Sequence, residues 1–497
     1  MQPPGTKRRA GRATAASLGV IAGLVAATAA ATAFVTAPTV NATPAAAHRL
    51  SWTSCDAPDY PGAECATLSL PVDWDRPDGP TFELALARRK ATGPRERVGS
   101  LVFGPGGPGD SGVDRVVEGI SRFSPEVRRR FDIVSFDPRG VGRSNPITCS
   151  ADLLAQRPSP EIHDQAAFEA TLDYNAELRA DCRQRTGPLF DHLDTASTVR
   201  DLEAVRVALG EPKLTFHGSS YGTLLGAQYA ETYPHHIRAM VLESVMDHSV
   251  ATTRTFLRDQ GAAAQDSFNE FVRWCKASTG CALHGRDVRT VWKGLLTRAE
   301  RGELDNPKAP GTRISSIDLV NAIAFRAFYK ADFAGLAKTI ATMADTSPLP
   351  AAPTALSPLP PTAPIFCSDW NLPARDHREY TSLVRTLHRT APDMPYLLPV
   401  RVVASCLGTP ATNLQHRLKV DGAPKILLSN ARHDPATGYP WAQSAARQLG
   451  QSGVLLTYQG HGHGSVTNGA CMENTVDAYL TELKVPARGT ACPAQSL

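Results

Sequence analysis

Gly218-Ser219-Ser220-Tyr221-Gly222 decides the reading of this chain, because a G-x-S-x-G pentapeptide between an apolar strand and a helix of small residues forms a nucleophile elbow. A serine at so sharp a strand-to-helix turn takes strained backbone angles, and only small neighbours let the flanking backbone close beneath it. Ser220 is therefore the candidate nucleophile. Lys213-Leu214-Thr215-Phe216-His217 supplies the strand and Thr223 to Thr232 the helix. A chain with 38 glycines also produces such a pentapeptide by accident, as an ordinary turn, so its context carries the weight.

Upstream, Val199, Leu202, Val205 and Leu209 form one stripe of an amphipathic helix over Thr198–Leu209, which stops at Gly210. Downstream, Ile237 to Leu242 is a further apolar strand. Helix, strand, elbow, helix and strand is the rhythm of a mostly parallel α/β sheet. Cys65–Leu70 and Phe82–Ala87 alternate as an antiparallel pair opening the domain; Ser100–Phe103 and Asp132–Phe136 read as buried strands, each followed by a glycine-rich loop. The rhythm stops after Leu242. Helices are expected over Ala262–Ser278, Val288–Arg301 and Ile317–Ala344, with a Pro/Ala/Ser-rich surface linker at Ser347–Pro364. The α/β pattern resumes with the strand Pro424–Ser429, a helix near Trp441–Leu449, the strand Gly453–Tyr458 and a helix over Glu473–Leu483. A large helical insertion ahead of the last loops is the pattern of a cap that closes a pocket and selects its substrate. The expected division is a signal peptide at 1–42, a first core part at 43–246, a helical cap at 247–422 and a second core part at 423–497.

The leader rests on Lys7, Arg8, Arg9 and Arg12 ahead of an Ala/Val/Leu/Thr run from Ala15 to Val35, followed by small residues. Cleavage is expected after Ala42 or Ala47. A retained anchor is the alternative, and the Ala and Thr content of the run argues against stable membrane insertion. Those four basic residues account for the whole formal charge of +4, so the remainder is formally neutral and carries no basic block for nucleic acid. The 42% hydrophobic and 20% charged composition is that of a soluble globular protein. Ten cysteines in an exported chain point to disulfides, and sequential pairing gives Cys55–Cys65, Cys149–Cys182, Cys275–Cys281, Cys367–Cys406 and Cys471–Cys492. Neither a C-x-x-C pair nor a Cys/His run marks a metal site, and no metal or organic cofactor is expected.

A serine hydroxyl needs a base, and the base needs an oriented, ionised partner. Asp434 follows the strand Lys425–Ser429 and is the candidate acid; Asp421 lies before that strand, at the wrong end of the sheet. Asp434 can also cap the segment beyond Pro435, with Thr437 as a local partner. The strand Gly453–Tyr458 leads into Gly460-His461-Gly462-His463-Gly464, and position alone does not choose between the two imidazoles. His433 is expected to pack at the surface. The oxyanion donors are the backbone N–H of Tyr221, next to the nucleophile, and of Gly107, in the loop Gly104-Pro105-Gly106-Gly107-Pro108-Gly109. The loop Asp137 to Ser144 reads as a structural fixture.

Together Gly106–Gly109, Asp137–Ser144, Gly218–Thr223, the Asp434 and His463 loops and the terminal run from Cys471 through Tyr479-Leu480 to Cys492 resemble the prolyl-iminopeptidase-like branch of α/β-hydrolase serine peptidases. The resemblance is strongest to its secreted tripeptidyl-aminopeptidase-like members and runs from Trp52 to the end. It implies an α/β-hydrolase fold, the base at His463 from a G-x-G-H pattern, and an exopeptidase releasing short peptides or single residues from a free N-terminus. Pro105 stands where proline-specific relatives carry His. An exopeptidase needs a carboxylate for the substrate ammonium, and Glu243 and Asp369 are the candidates. The expected partners are peptide substrates, and the expected location is extracellular. A secreted carboxylesterase or lipase using the same three residues is the alternative, favoured by an apolar cap without a carboxylate near Ser220; a binding protein without turnover is a second.

Overall fold

The computed structural model describes residues 50–55, 57–354 and 362–497, and their strands join in one sheet. In chain order these are β1 (Thr53–Ser54), β2 (Glu64–Pro71), β3 (Thr81–Arg89), β4 (Gly99–Gly104), β5 (Phe131–Phe136), β6 (Leu214–Ser219), β7 (Ile237–Glu243), β8 (Ile426–His433), β9 (Gly453–His461) and β10 (Ala491–Cys492). Across the sheet they run β1-β2-β3-β5-β4-β6-β7-β8-β9-β10. The first four in this spatial order pair antiparallel, and every later pair is parallel.

Every residue of β4 and β5 is buried, as expected of central strands with both faces covered. Their side chains alternate between two cores. Val102, Val134, Phe216 and Leu242 pack on one side; Leu101, Ile133, Val241 and Leu456 pack on the other. The first core continues without a break into the segment between β7 and β8, through Phe256, Phe268 and Trp292. That segment is helical, with Thr253–Ala277, Val288–Glu300, Phe333–Asp345, Ala363–Asp369, His377–Thr390 and Leu398–Cys406 as its main helices.

The helix expected over 317–344 is broken. A short turn at Ser316–Asp318, a π-helical stretch at Leu319–Phe325 and a last turn at Arg326–Tyr329 end at Ala331, whose φ of 55° leaves the right-handed region. Asp332 then caps a new helix by accepting from the Gly335 N–H at 2.8 Å. An apolar stripe persists across the break, so its periodicity concealed it.

All five sequential cysteine pairs form disulfides, leaving no cysteine free. No helix among the described residues is long and apolar enough to cross a membrane. The expected signal peptide and positions 355–361 of the expected linker lie outside the described residues.

Candidate active site

Ser220 follows β6 directly and takes φ 55°, the left-handed conformation of an elbow. Holding a non-glycine residue there costs about 1–3 kcal/mol, which surrounding contacts must offset. Its N–H donates to the Glu243 carbonyl at 2.9 Å, and its own carbonyl accepts from the Thr223 N–H and hydroxyl at 2.9 and 2.6 Å. The Thr223 hydroxyl in turn accepts from the Met246 N–H at 2.9 Å. Both elbow glycines are required by close approach: a Cβ on Gly218 would stand 2.3 Å from the Gly222 carbonyl oxygen, and one on Gly222 would stand 2.2 Å from that of Gly104.

Asp434 emerges one residue past β8 and is fully buried. It accepts from the N–H groups of Ala436 and Thr437 and from the Thr437 hydroxyl, each at 2.9 Å. His463 Nδ1 lies 2.9 and 3.0 Å from its two carboxylate oxygens. Local capping and orientation of the imidazole therefore coexist in one carboxylate. Nδ1–H donation to Asp434 leaves Nε2 as a proton acceptor. That Nε2 is buried and has no hydrogen-bond partner. Ser220 and His463 line one cavity of about 950 Å³ without a direct hydrogen bond between them. Such contacts are commonly long before substrate binds.

Tyr329 supports the imidazole from the inserted segment, a role the sequence gave no sign of. Its carbonyl accepts from the His463 N–H at 2.9 Å and its ring lies 4.3 Å from the imidazole, centroid to centroid. Burial, reinforced by the charge of Asp434, pushes its hydroxyl up to about 12.

Gly107 and Tyr221 both line the cavity beside Ser220. Tyr221 is the N-cap residue of the helix Gly222–Thr232, so its N–H belongs to the donors a helix leaves unpaired at its start. The Gly104–Gly109 loop presses on the nucleophile: a Cβ on Gly106 would sit 3.0 Å from that of Ser220. Loop and helix start thus both border the cavity beside Ser220.

Neither Glu243 nor Asp369 lines the cavity. Glu243 is 2% exposed: one oxygen accepts from the Ser465 and Val466 N–H groups at 2.7 and 2.9 Å, the other from Arg122 at 2.9 Å, with His217 Nε2 at 3.1 Å. Burial alone would raise its carboxyl; His217, Arg122 and the Val466 N–H instead hold it well below the usual carboxylate range. Asp369 is fully buried and accepts from the Thr195 N–H and hydroxyl, the Tyr221 hydroxyl and Asn413 at 2.6–2.8 Å. Burial pushes its carboxyl up to about 6 against those four donors. Both were expected to meet a substrate ammonium, and both are instead saturated by internal donors. Among the described residues lining the cavity, Asp110 is the one carboxylate, paired with Arg115 at 3.0 Å.

His461 also reaches the cavity wall, but its ring lies beside Phe333 and stacks on His433, away from Asp434. The expected surface position of His433 is corrected: its side chain is 20% exposed and bonds Asp266 at 2.7 Å. The Asp137 loop is a fixture. Asp137 accepts from Ser111, Val113 N–H and Arg143 N–H, and buried Arg139 forms a two-point pair with Asp201.

Residues 99–329 match the family model described as alpha/beta hydrolase fold, and residues 399–492 match the one described as TAP-like protein. Over 501 residues the chain is 31% identical to serine protease Hip1 of Mycobacterium tuberculosis, covering 91% of this chain and 92% of that protein. The chain belongs to the TAP-like α/β-hydrolases. This α/β-hydrolase is also 30% identical over 483 residues to a tripeptidyl aminopeptidase of Streptomyces lividans, covering 91% and 88% of the two chains. A protein named carboxylesterase B of M. tuberculosis is 31% identical to it over 479 residues, covering 90% and 91%. As a TAP-like α/β-hydrolase, the protein is a serine hydrolase.

Proposed function

We propose that this α/β-hydrolase is a secreted serine exopeptidase that cleaves peptide bonds near a free N-terminus through an acyl-enzyme. The observation that carries the reading is the likeness, over nine-tenths of the chain, to relatives named as a serine protease and a tripeptidyl aminopeptidase. Ser220 Oγ attacks the scissile carbonyl while His463 Nε2 takes its proton; Asp434 holds the Nδ1–H tautomer and stabilises the imidazolium. The N–H groups of Gly107 and Tyr221 receive the oxyanion. His463 then protonates the leaving amine, and water repeats the cycle on the ester. Residues 247–422 serve as the cap, and Asp110, at the cavity wall, takes the ammonium role that Glu243 and Asp369 cannot fill. Five disulfides support an oxidising, extracellular location.

One observation favours an esterase as the second reading: Phe256, Phe325, Phe366, Leu398 and Val402 give the cavity a largely apolar wall, and its one carboxylate is already paired. Incubating the mature protein with free and N-acetylated peptides and a short-chain ester separates the two. An exopeptidase cleaves the free peptides and spares the acetylated ones. Equal cleavage of both removes the free-amine requirement, and turnover of the ester alone establishes the esterase.

A further inference from the structure

His433 and His461 are register partners at the ends of neighbouring parallel strands, so their side chains leave the same face of the sheet. Their rings stack at 4.8 Å and 20°. Facing them is the helix Thr253–Ala277, which presents Asp266 and Glu270, one turn apart and hence on one side of the helix. His433 Nδ1 lies 2.7 Å from Asp266 and 3.5 Å from Glu270. Ligating atoms of Glu270, His433 and His461 all fall within 4.8 Å of one another. The proposed peptidase chemistry uses none of these four side chains.

We propose that His433, His461 and Glu270, with Asp266 beside His433, bind a divalent ion of the zinc type, which fastens the helix Thr253–Ala277 to the ends of β8 and β9. The donor set matches that chemistry, since imidazole and carboxylate together suit zinc, copper or nickel and not the oxygen-only preference of calcium or magnesium. His461 Nδ1 is buried and has no partner, an orphan a ligated ion would satisfy. Two carboxylates offset the charge of the ion. Tetrahedral zinc with ligands at about 2.1 Å sets adjacent donors about 3.4 Å apart, a spacing that donors already within 4.8 Å of one another reach by side-chain rotation. Glu270 also pairs with Arg273, a contact the ion would share or displace.

The sequence concealed this arrangement because the ligands come from three separate stretches without the short spacing of a metal motif. Each strand contributes one histidine and the inserted helix contributes both acids.

The test titrates the EDTA-treated, dialysed mature protein with Zn2+ by calorimetry and follows its melting temperature; neither measurement needs a substrate, so the outcome is independent of the peptidase reading. Saturable binding of one ion per chain and a rise in melting temperature are expected. Asp266→Asn and Glu270→Gln, on the outer side of the site, should each weaken binding at least about tenfold, and His461→Ala more, with unchanged far-ultraviolet circular dichroism. Co2+ in place of Zn2+ should give intense visible bands in the wild type that His461→Ala lacks. His416→Ala, which removes the separate pair with Glu231, should bind as the wild type does. The proposal is overturned by the absence of saturable binding, or by Glu270→Gln and His461→Ala chains that bind Zn2+ undiminished.

Discussion

Asp434 satisfies three local donors and still reaches His463, so its replacement separates geometry from charge. Asp434→Asn should retain the fold but offer His463 a group that favours the wrong tautomer, lowering kcat by roughly 10³–10⁴-fold. Steady-state kinetics and the rate of Ser220 labelling by a fluorophosphonate check it; a loss below tenfold would remove Asp434 from the proposed mechanism. Residues whose chemistry demands a particular backbone were the legible ones. Gly218 and Gly222 could be read because nothing larger fits, whereas Glu243 and Asp369 were misread because a sequence gives charge without direction. Tyr329 escaped notice for another reason: it acts through its carbonyl, which every residue type possesses.

Among elements, β7 couples the two halves of the site. Its last residue holds the elbow through a main-chain carbonyl and the loop after β9 through a side-chain oxygen, two residues beyond His463. Glu243→Gln keeps the shape and removes the charge facing Arg122 and His217. Breaking such a buried pair should cost about 3–5 kcal/mol, measured by urea unfolding, and lower kcat more than it raises KM. The helices Ala363–Asp369 and Leu398–Cys406 both contribute cavity wall and are tied by Cys367–Cys406. The double Ala variant should lose about 2–4 kcal/mol and raise KM more than it lowers kcat. Strand positions were recoverable from apolar runs because the parallel strands are covered on both faces. Helix breaks were not, since Ala331 and Asp332 interrupt a stripe that continues on either side.

At the scale of the whole molecule, stability should depend on pH through His248, 4% exposed and pushed down by burial to about 4. A histidine with a depressed folded pKa is protonated more readily when unfolded, so its contribution is present above about 6.5 and is lost as pH falls towards 4. Between pH 7 and 5 the loss is about 2 kcal/mol. Asp369, raised by burial to about 6, works in the opposite sense, gaining stability below that pH. Chemical denaturation of the wild type and His248→Gln at both pH values isolates the histidine: the variant should lose about 2 kcal/mol less on acidification. An equal loss in both proteins would assign the dependence to other groups.

The sheet ends on either side in a two-residue strand, and a cystine anchors each: Cys55–Cys65 ties the chain beside β1 to β2, and Cys471–Cys492 ties β10, paired with β9, to the start of the helix Ala470–Glu482. Each short strand covers backbone groups that would otherwise be open to pairing with a neighbouring molecule. In a thiol-rich cytosol both covers would come loose together, leaving β2 and β9 as templates for intermolecular zippering. Recombinant chain retained in that compartment should therefore collect in inclusion bodies, while the same chain sent to an oxidising space stays dispersed.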